Sequence, residues 1–228
     1  MLLALRSMIC PCVKNTPRKA QVTKLEYDWD DGFAHVAKRD KRLGKVMRNW
    51  SHARLEPKRL ASPFHALMRA IIYQQLSGKA AATIHGRVLD LFPSKRHVAP
   101  AGILELSDTQ LRGAGVSGNK VKALRDLAQR TIASEIPSFA KLKRLSDDEI
   151  IERITAVHGI GRWTVEMLLI FQLGRPDVLP IDDLGVRKGY AIAHGLDVLP
   201  TPKELAVLAE KWKPFRSVGS WYCWRATE

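Results

Sequence analysis

Three features of the sequence predict an all-α fold. Apolar residues recur at the spacing of a helix face, most clearly at Phe64, Leu67, Met68, Ile71 and Ile72. Capping boxes, each a Ser or Thr followed three residues later by Gln or Glu, mark helix starts at residues 107–110, 146–149 and 201–204. No segment shows the alternation of apolar and polar residues that is typical of a strand. We therefore expect helices joined by tight turns.

The first helices follow from local signals. Residues 25–50 are expected to form one helix whose basic residues face solvent. Ser62 before Pro63 is a cap with a first-turn proline, which predicts a helix that runs to a polar junction at residues 73–78. A second helix starts at that junction and stops before Pro93, since proline cannot continue it. Further helices are expected at residues 107 to 113 or 115, from about 120 onwards, 146–157, 162–173, 184–194, 201–209 and at the end of the aromatic-rich tail 212–224.

The composition indicates a protein that binds a polyanion. The chain has 228 residues, 46% of them apolar, which suits one globular unit or two small subdomains. The 37 Lys and Arg residues outnumber the 23 Asp and Glu residues, and the formal net charge is +14. An excess of this size favours nucleic acid over an anionic membrane as the partner. No apolar run is long enough to span a bilayer, so we expect no membrane partner.

The N-terminal region and the cysteines give weaker information. Residues 1–25 contain no acidic residue and are interpreted as a flexible basic arm, with a targeting peptide as the alternative. The three cysteines (Cys10, Cys12 and Cys223) are too few for a four-cysteine zinc or iron–sulfur site. They fit a reducing intracellular compartment.

The segment His158-Gly159-Ile160-Gly161 predicts a tight turn between two helices. Glycines permit a backbone reversal that side chains would block. The helix that follows directs free N–H groups and the positive end of its dipole away from the turn, which is an arrangement that binds phosphate. Gly-x-Gly between helices is also a common helix C-cap, so the turn gains meaning only together with the basic charge and the residues downstream.

Asp182 and Asp183 lie about twenty residues beyond this turn. One interpretation is that one of them caps the helix at 184–194. The other is that one carboxylate faces a sugar and stabilises the positive charge that develops when an N-glycosidic bond breaks. Two adjacent residues at a helix start point about 100° apart, so both cannot serve equally. The spacing alone does not choose between them.

Trp163 and Trp224 are candidate stacking surfaces. Large rings are most often part of a core, but a base that has swung out of a duplex needs a flat surface to stack on. A cationic base gains additional attraction from a π face. Trp163 lies in the first turn of the helix after the Gly-x-Gly turn.

The span from about Phe64 to Trp224 resembles the helix-hairpin-helix DNA glycosylases, and specifically the DNA-3-methyladenine glycosylase II group. The matching motifs are IIYQQLSGKAA, HGIGRWTVEML, LPIDDLGVRKGY and WKPFRSVGSWYCW. The resemblance implies an all-α fold with two helical subdomains flanking a DNA-binding cleft. The expected division is residues 26–108 with 201–228 as one subdomain and residues 109–200, with the hairpin and the catalytic aspartate, as the other.

The resemblance also implies the residues of the site. The second Asp of the family's Pro-x-Asp-Asp motif is catalytic, which places that role on Asp183. Related enzymes that also nick DNA carry a lysine two residues after Gly-x-Gly; here this position is Trp163, which implies a monofunctional hydrolase. The base pocket is expected to comprise Trp163, Trp224 and Tyr73. The expected DNA-binding residues are Gln74, Ser77, Gly118, Asn119, Lys120, His158, Gly159, Gly161 and Thr164. The backbone carbonyls of Thr155, Val157 and Ile160 are expected to hold a structural Na⁺ or K⁺, with no cofactor required for catalysis.

Two positions depart from the family pattern. His158 stands where the family usually has proline, and it could contact a phosphate or lie in solvent. The side chain that fills the gap left by a flipped base maps near Gly118 and Asn119. Glycine cannot fill a gap, so Asn119 or Ser77 is expected to share that task, unless opening relies less on a wedge.

The resulting hypothesis is a monofunctional DNA glycosylase that removes 3-methyladenine and 7-methylguanine in base excision repair by base flipping and aspartate-assisted departure of the base. Its expected partner is double-stranded DNA with alkylated bases, and it is expected to act as a monomer where the DNA is, in a bacterial cytoplasm or nucleoid or in a nucleus. The alternative is a non-catalytic binder of damaged DNA on the same fold.

Overall fold

The computed structural model describes residues 25–57, 60–94 and 98–228. These residues form helices, turns and loops, and no strand occurs among them, so the all-α prediction is confirmed. The predicted basic arm, apart from Leu25, lies outside the described residues, as do Cys10 and Cys12. No helix in the described ranges combines the length and the apolar character needed to cross a bilayer.

The helices are numbered along the described chain. They are α1 (Trp29–Arg39), α2 (Lys41–Asn49), α3 (Pro63–Tyr73), α4 (Gly78–Asp90), α5 (Pro100–Glu105), α6 (Asp108–Gly113), α7 (Gly118–Ile132), α8 (Phe139–Leu142), α9 (Asp147–Thr155), α10 (Arg162–Leu168) with a π-helical continuation (Leu169–Leu173), α11 (Leu184–His194), α12 (Pro202–Leu208), a 3-10 turn (Glu210–Trp212) and α13 (Arg216–Ala226).

The expected caps form as the sequence predicts. Ser62 accepts a hydrogen bond from the His65 amide at the start of α3, and Pro63 occupies the first turn. Both bonds of the capping box are present at the starts of α6, α9 and α12. Helices α5 and α8 were not expected, because six and four residues are too few to show a helical period.

The prediction of a single helix over residues 25–50 is wrong. The chain forms α1 and α2, which are separated by Asp40. Asp40 leaves helical geometry with φ −125° and ψ 85°, and its Oδ1 accepts the Leu43 amide at 3.0 Å to cap α2. The apolar pattern continues through Asp40, so the pattern alone does not reveal the break.

The described residues divide into two compact units. One unit consists of residues 60–165 and the other of residues 25–57 and 166–228. In the first unit, α3 packs against α4 and α7, and α5 also packs against α7. Its core contains side chains that are fully buried, among them Leu67, Ile71 and Leu124.

In the second unit, α11 packs along α13, and α2 packs against both. The closest approach is at Gly189, where an added Cβ would lie 1.8 Å from the Cys223 carbonyl oxygen. The boundary between the two units lies between residues 165 and 166, whereas the sequence analysis expected subdomain boundaries at 108/109 and 200/201. The physical reason is packing, because α7 packs against α3 in the first unit and α11 packs against α13 in the second.

A buried carboxylate, Asp40, joins several elements of the second unit. Its side chain accepts hydrogen bonds from His194 Nε2 at 3.0 Å, Trp212 Nε1 at 2.9 Å and Lys211 Nζ at 3.0 Å. Burial raises the pKa of Asp40, but the hydrogen bonds from His194, the Leu43 amide, Trp212 and Lys211 outweigh it and hold this pKa well below its ordinary value of 3.8. The ionised form is therefore the one that the fold stabilises.

Replacing Asp40 by Asn is expected to lower the free energy of unfolding by about 3–5 kcal/mol at neutral pH, since three side-chain donors and the Leu43 amide lose a buried charge. The folded-state pKa of Asp40 lies below the unfolded one, so its stabilisation is complete above pH 3.8 and is lost as the pH falls below that value. Urea unfolding of both proteins between pH 7 and pH 2.5 measures this. The difference between wild type and variant should shrink below about pH 4; a difference independent of pH would contradict the assignment.

Candidate functional site

The predicted turn lies between α9 and α10 in the first unit. Gly159 adopts φ +76°, a left-handed conformation that side chains rarely adopt. The Ile160 amide donates to the Val157 carbonyl at 3.1 Å and closes the turn. Gly161 has no positive φ, and a Cβ there would meet no described atom within 4 Å. Gly159 is therefore required by the turn itself, whereas Gly161 leaves an open, exposed backbone.

Two side chains from elsewhere in the first unit hold this turn in place. Asp126 of α7 accepts a hydrogen bond from the His158 amide at 2.7 Å. Gln74, which follows α3, donates from Nε2 to the Gly159 carbonyl at 3.0 Å. The His158 amide thus has a protein partner, and the Gln74 amide group faces the turn. Asp126 could not be identified from the sequence, because it lies on the polar face of a helix.

Lys120 also supports the first unit. Its Nζ donates to the carbonyls of Ile72 and Gln74 at 2.9 and 2.8 Å, at the C-terminal end of α3. A cation is favourable there because it satisfies carbonyls that have no partner within the helix. Burial lowers the pKa of Lys120. The structure therefore places this residue, expected to bind DNA, in a bond to the protein's own backbone.

The other residues expected to bind DNA differ in exposure. Thr164 is buried, with 5% of its surface exposed. Ser77 caps α4 by accepting the Ala80 amide at 3.4 Å. A Cβ at Gly118 would meet nothing within 4 Å. The exposed members of the set are Ser77, Gly118, Asn119, His158, Gly159 and Gly161.

Gln75 was noted in the sequence only as part of the polar junction. It is exposed, and its φ of +56° is unusual for a residue other than glycine. Its neighbour Gln74 faces the hairpin turn instead. A strained backbone at an exposed junction is a common feature of functional loops. No sequence signal separates the two adjacent glutamines.

The two aromatic candidates of the first unit differ in burial. Tyr73 is 5% exposed; the Arg69 guanidinium lies 4.1 Å from its ring centroid and His85 meets it edge-on at 6.1 Å. Burial, with smaller contributions from the charges of Arg69 and His65, lowers the pKa of His85 to about 4. Trp163 lies at the start of α10 and is half-buried.

The second unit distinguishes the two adjacent aspartates. Asp182 is exposed, whereas the Asp183 side chain is fully buried. Asp183 Oδ1 accepts two hydrogen bonds, one from the Val186 amide at 2.8 Å and one from Trp224 Nε1 at 2.9 Å. The first of these is the N-cap of α11, so the capping interpretation holds for Asp183. The buried environment strengthens the field of this carboxylate, because water screens it less.

Trp224 is brought next to Asp183 by the packing of α13 on α11. Its side chain is 4% exposed, and its ring stacks on Phe171 with centroids 5.6 Å apart and planes 28° apart. Phe171 is half-buried and belongs to the π-helical turn, a rare geometry that is frequent at functional sites. The sequence analysis did not identify Phe171, because an isolated apolar residue at helical spacing indicates a core position.

The residues expected to hold a monovalent cation supply main-chain oxygens only. The Thr155 hydroxyl donates to the Ile151 carbonyl at 2.7 Å. The Val157 carbonyl accepts the Ile160 amide and keeps a second lone pair. Neutral carbonyl oxygens are the donors that suit a singly charged cation such as K⁺. The chemistry of this donor set fits such an ion.

The hairpin, the capped aspartate and the helical fold together define a class of protein. The model of the HhH-GPD superfamily of base excision DNA repair proteins matches residues 68–215 of this chain. The chain belongs to this superfamily.

Individual relatives within the superfamily are also similar. DNA-3-methyladenine glycosylase 1 of Schizosaccharomyces pombe is 39% identical over 188 residues, which cover 82% of this chain and 82% of the relative. A solved structure of 3-methyladenine DNA glycosylase from the same yeast, in complex with abasic DNA, matches with a TM-score of 0.74 and 37% identity over 85% of this chain and 95% of that chain. A DNA-3-methyladenine glycosidase from Bacillus halodurans has a TM-score of 0.74 and 32% identity over 86% and 88% of the two chains.

Proposed function

We propose that the protein is a DNA-3-methyladenine glycosylase that hydrolyses the N-glycosidic bond of alkylated purines in double-stranded DNA. The observation that carries this proposal is the buried Asp183 carboxylate, held by two N–H donors in a chain that is 39% identical to a glycosylase of this kind. The proposed substrates include 3-methyladenine and 7-methylguanine. The proposed working state is a monomer.

The chemistry assigned to Asp183 is electrostatic. Alkylation of a purine ring nitrogen makes the base cationic, so it leaves as a neutral molecule with the electron pair of the glycosidic bond. The deoxyribose then carries positive charge, which a nearby carboxylate stabilises. Water adds to C1′ and loses a proton, and an abasic site remains. Asp183 would stabilise the cation and help to orient the water.

The hairpin is assigned to the DNA backbone. Gly159 and Gly161 are exposed. The described fold does not require a glycine at position 161, since a Cβ there would meet nothing within 4 Å, and the missing side chain leaves the backbone surface open. An approaching phosphate can use this surface where a side chain would block it. The carbonyls of Thr155, Val157 and Ile160 would hold a monovalent cation, whose charge attracts the phosphate. We add the exposed Gln75 to the residues that face DNA.

The absence of lyase activity is part of the proposal. A lyase forms a Schiff base through an amine, and the position that carries the lysine in strand-nicking relatives is Trp163 here. Borohydride treatment of the protein during reaction with damaged DNA tests this point. A trapped covalent adduct would contradict the monofunctional assignment.

A panel of duplexes, each with one modified base, tests the function directly. We expect release of 3-methyladenine and 7-methylguanine, seen as strand breaks only after alkaline treatment of the product, because a hydrolase leaves an intact abasic strand. The control is the same duplex without modification, which should yield few breaks since a neutral base is a poorer leaving group. Failure to release any alkylated base would contradict the proposal.

A second candidate function is favoured by one observation. Asp183 caps α11 and is fully buried, which is also what a purely structural aspartate does. A protein that binds damaged DNA without catalysing a reaction would need Asp183 only in this structural role. Tight binding to the alkylated duplexes without base release would support this alternative.

A further inference from the structure

The contact between Trp224 and Asp183 suggests a role for the indole that differs from base stacking. Trp224 is 4% exposed, so its ring is enclosed by the protein. Its Nε1 donates to Asp183 Oδ1 at 2.9 Å, and the Val186 amide donates to the same oxygen at 2.8 Å. Two donors that converge on one carboxylate oxygen fix the rotation of the carboxylate.

The indole itself is fixed on two sides. Phe171, in the π-helical turn, stacks on it with centroids 5.6 Å apart. On α11, a Cβ at Gly185 would lie 2.9 Å from Trp224 Cδ1 and 3.0 Å from Asp183 Oδ1. Any side chain at this position would push against both partners of the hydrogen bond. The absence of a side chain at Gly185 and the Phe171 ring therefore set the position of the indole N–H group.

We propose that Trp224 is a positioning residue that orients and holds the Asp183 carboxylate, and that its ring is not the surface on which the departing base stacks. This inference rests on the proposed glycosylase function. The donated hydrogen bond keeps one oxygen of the Asp183 carboxylate in a fixed place. A fixed position serves a group that must present negative charge to a sugar cation.

The groups around Asp183 do not compete with this role. The Cys223 thiol of α13 is close enough to interact with the charges of Asp183 and Asp40. Burial, followed by those two charges, raises the pKa of Cys223 well above its ordinary value of 9.0, so the thiol stays neutral. Asp182, the adjacent carboxylate, is exposed to solvent.

The test is Trp224→Phe, which keeps an aromatic ring and removes the N–H donor. We expect the single-turnover rate of base release to fall by about tenfold to a hundredfold, the loss that corresponds to a hydrogen bond to a charged group. The affinity for alkylated DNA should stay within about twofold, since a ring remains in place.

The chain offers a matched control. Trp212 Nε1 donates to Asp40 Oδ2 at 2.9 Å, another buried indole–carboxylate bond in the same unit. Trp212→Phe should lower the melting temperature but leave the single-turnover rate unchanged when this rate is measured well below that temperature. A purely structural role of Trp224 would make the two variants behave alike.

A second variant covers the case in which Trp224→Phe folds poorly. Gly185→Ala keeps the indole donor and displaces it from Asp183, so a folded Gly185→Ala protein should show the same rate loss with little change in DNA affinity. A Trp224→Phe protein with weakened DNA affinity and an unchanged rate would identify a stacking surface and overturn the proposal. An unchanged rate in either folded variant would overturn it as well.

These failures are separable from failure of the proposed function. If the unaltered protein releases no alkylated base, the glycosylase assignment itself fails, and the positioning role fails with it. If Asp183→Asn is inactive while Trp224→Phe is fully active, the glycosylase assignment stands and only the positioning role is overturned.

Discussion

Asp183→Asn is expected to reduce base excision by about a hundredfold to a thousandfold or more, with little change in DNA affinity or stability. The substitution removes the negative charge that we propose stabilises the sugar cation. Asparagine caps helices about as well as aspartate, and its carbonyl oxygen can still accept the bonds from the Val186 amide and Trp224 Nε1. The change is therefore close to a pure removal of charge. Single-turnover release of 3-methyladenine and DNA affinity, measured side by side, give the result.

The adjacent residue provides the control for this experiment. Asp182→Asn removes an equal charge one residue away, from an exposed side chain. Because water screens an exposed charge, this variant should excise the base at nearly the rate of the unaltered protein. Normal excision by Asp183→Asn would contradict the catalytic assignment. Equal losses in the two variants would indicate that general charge, and not a positioned carboxylate, matters.

Gly189→Ala is expected to be the most damaging single-methyl substitution in the second unit. A Cβ at this position would lie 1.8 Å from the Cys223 carbonyl oxygen and 2.4 Å from its carbonyl carbon. Backbone atoms cannot move aside as a flexible side chain can, so α11 and α13 must separate. We expect a loss of more than about 3 kcal/mol in the free energy of unfolding, or no folded protein. Thermal and urea unfolding measure this loss.

Replacement of Gly86 by Ala should have the opposite effect on the free energy of unfolding. Gly86 lies within α4, without a positive φ, and a Cβ there would meet nothing within 4 Å. Alanine favours the helix by about 0.5–1 kcal/mol relative to glycine. Gly86→Ala should therefore raise the stability slightly. A small loss at Gly189, comparable to an ordinary surface change, would show that α11 and α13 do not pack as closely as described.

Local signals in the sequence predict most helices of the fold. The prediction fails where a feature depends on contacts between residues that are far apart in the sequence. Ser62, the capping boxes and the apolar stripe of α3 depend on neighbours in sequence, and each forms as expected. The break at Asp40 depends on His194 and Trp212, which are far away in sequence. The unit boundaries likewise depend on which helix packs on which, and no local pattern contains that information.

The candidate site shows the same limits. Motif resemblance identified Asp183, and the structure adds its burial and its two donors. The resemblance implies that Gln74 and Lys120 bind DNA, and that role stays a prediction. What the sequence did not indicate is that both side chains donate to backbone carbonyls of the first unit, since burial leaves such carbonyls in need of donors.

The π-helical turn at Leu169–Leu173 has a consequence for the direction of its side chains. Its Gly174 amide bonds to the Leu169 carbonyl, five residues back, so the turn contains one residue more than an α-turn. One residue corresponds to a rotation of about 100° around a helix axis. A regular α-helix over residues 162–173 would therefore give the Phe171 ring, which stacks on Trp224, a different direction.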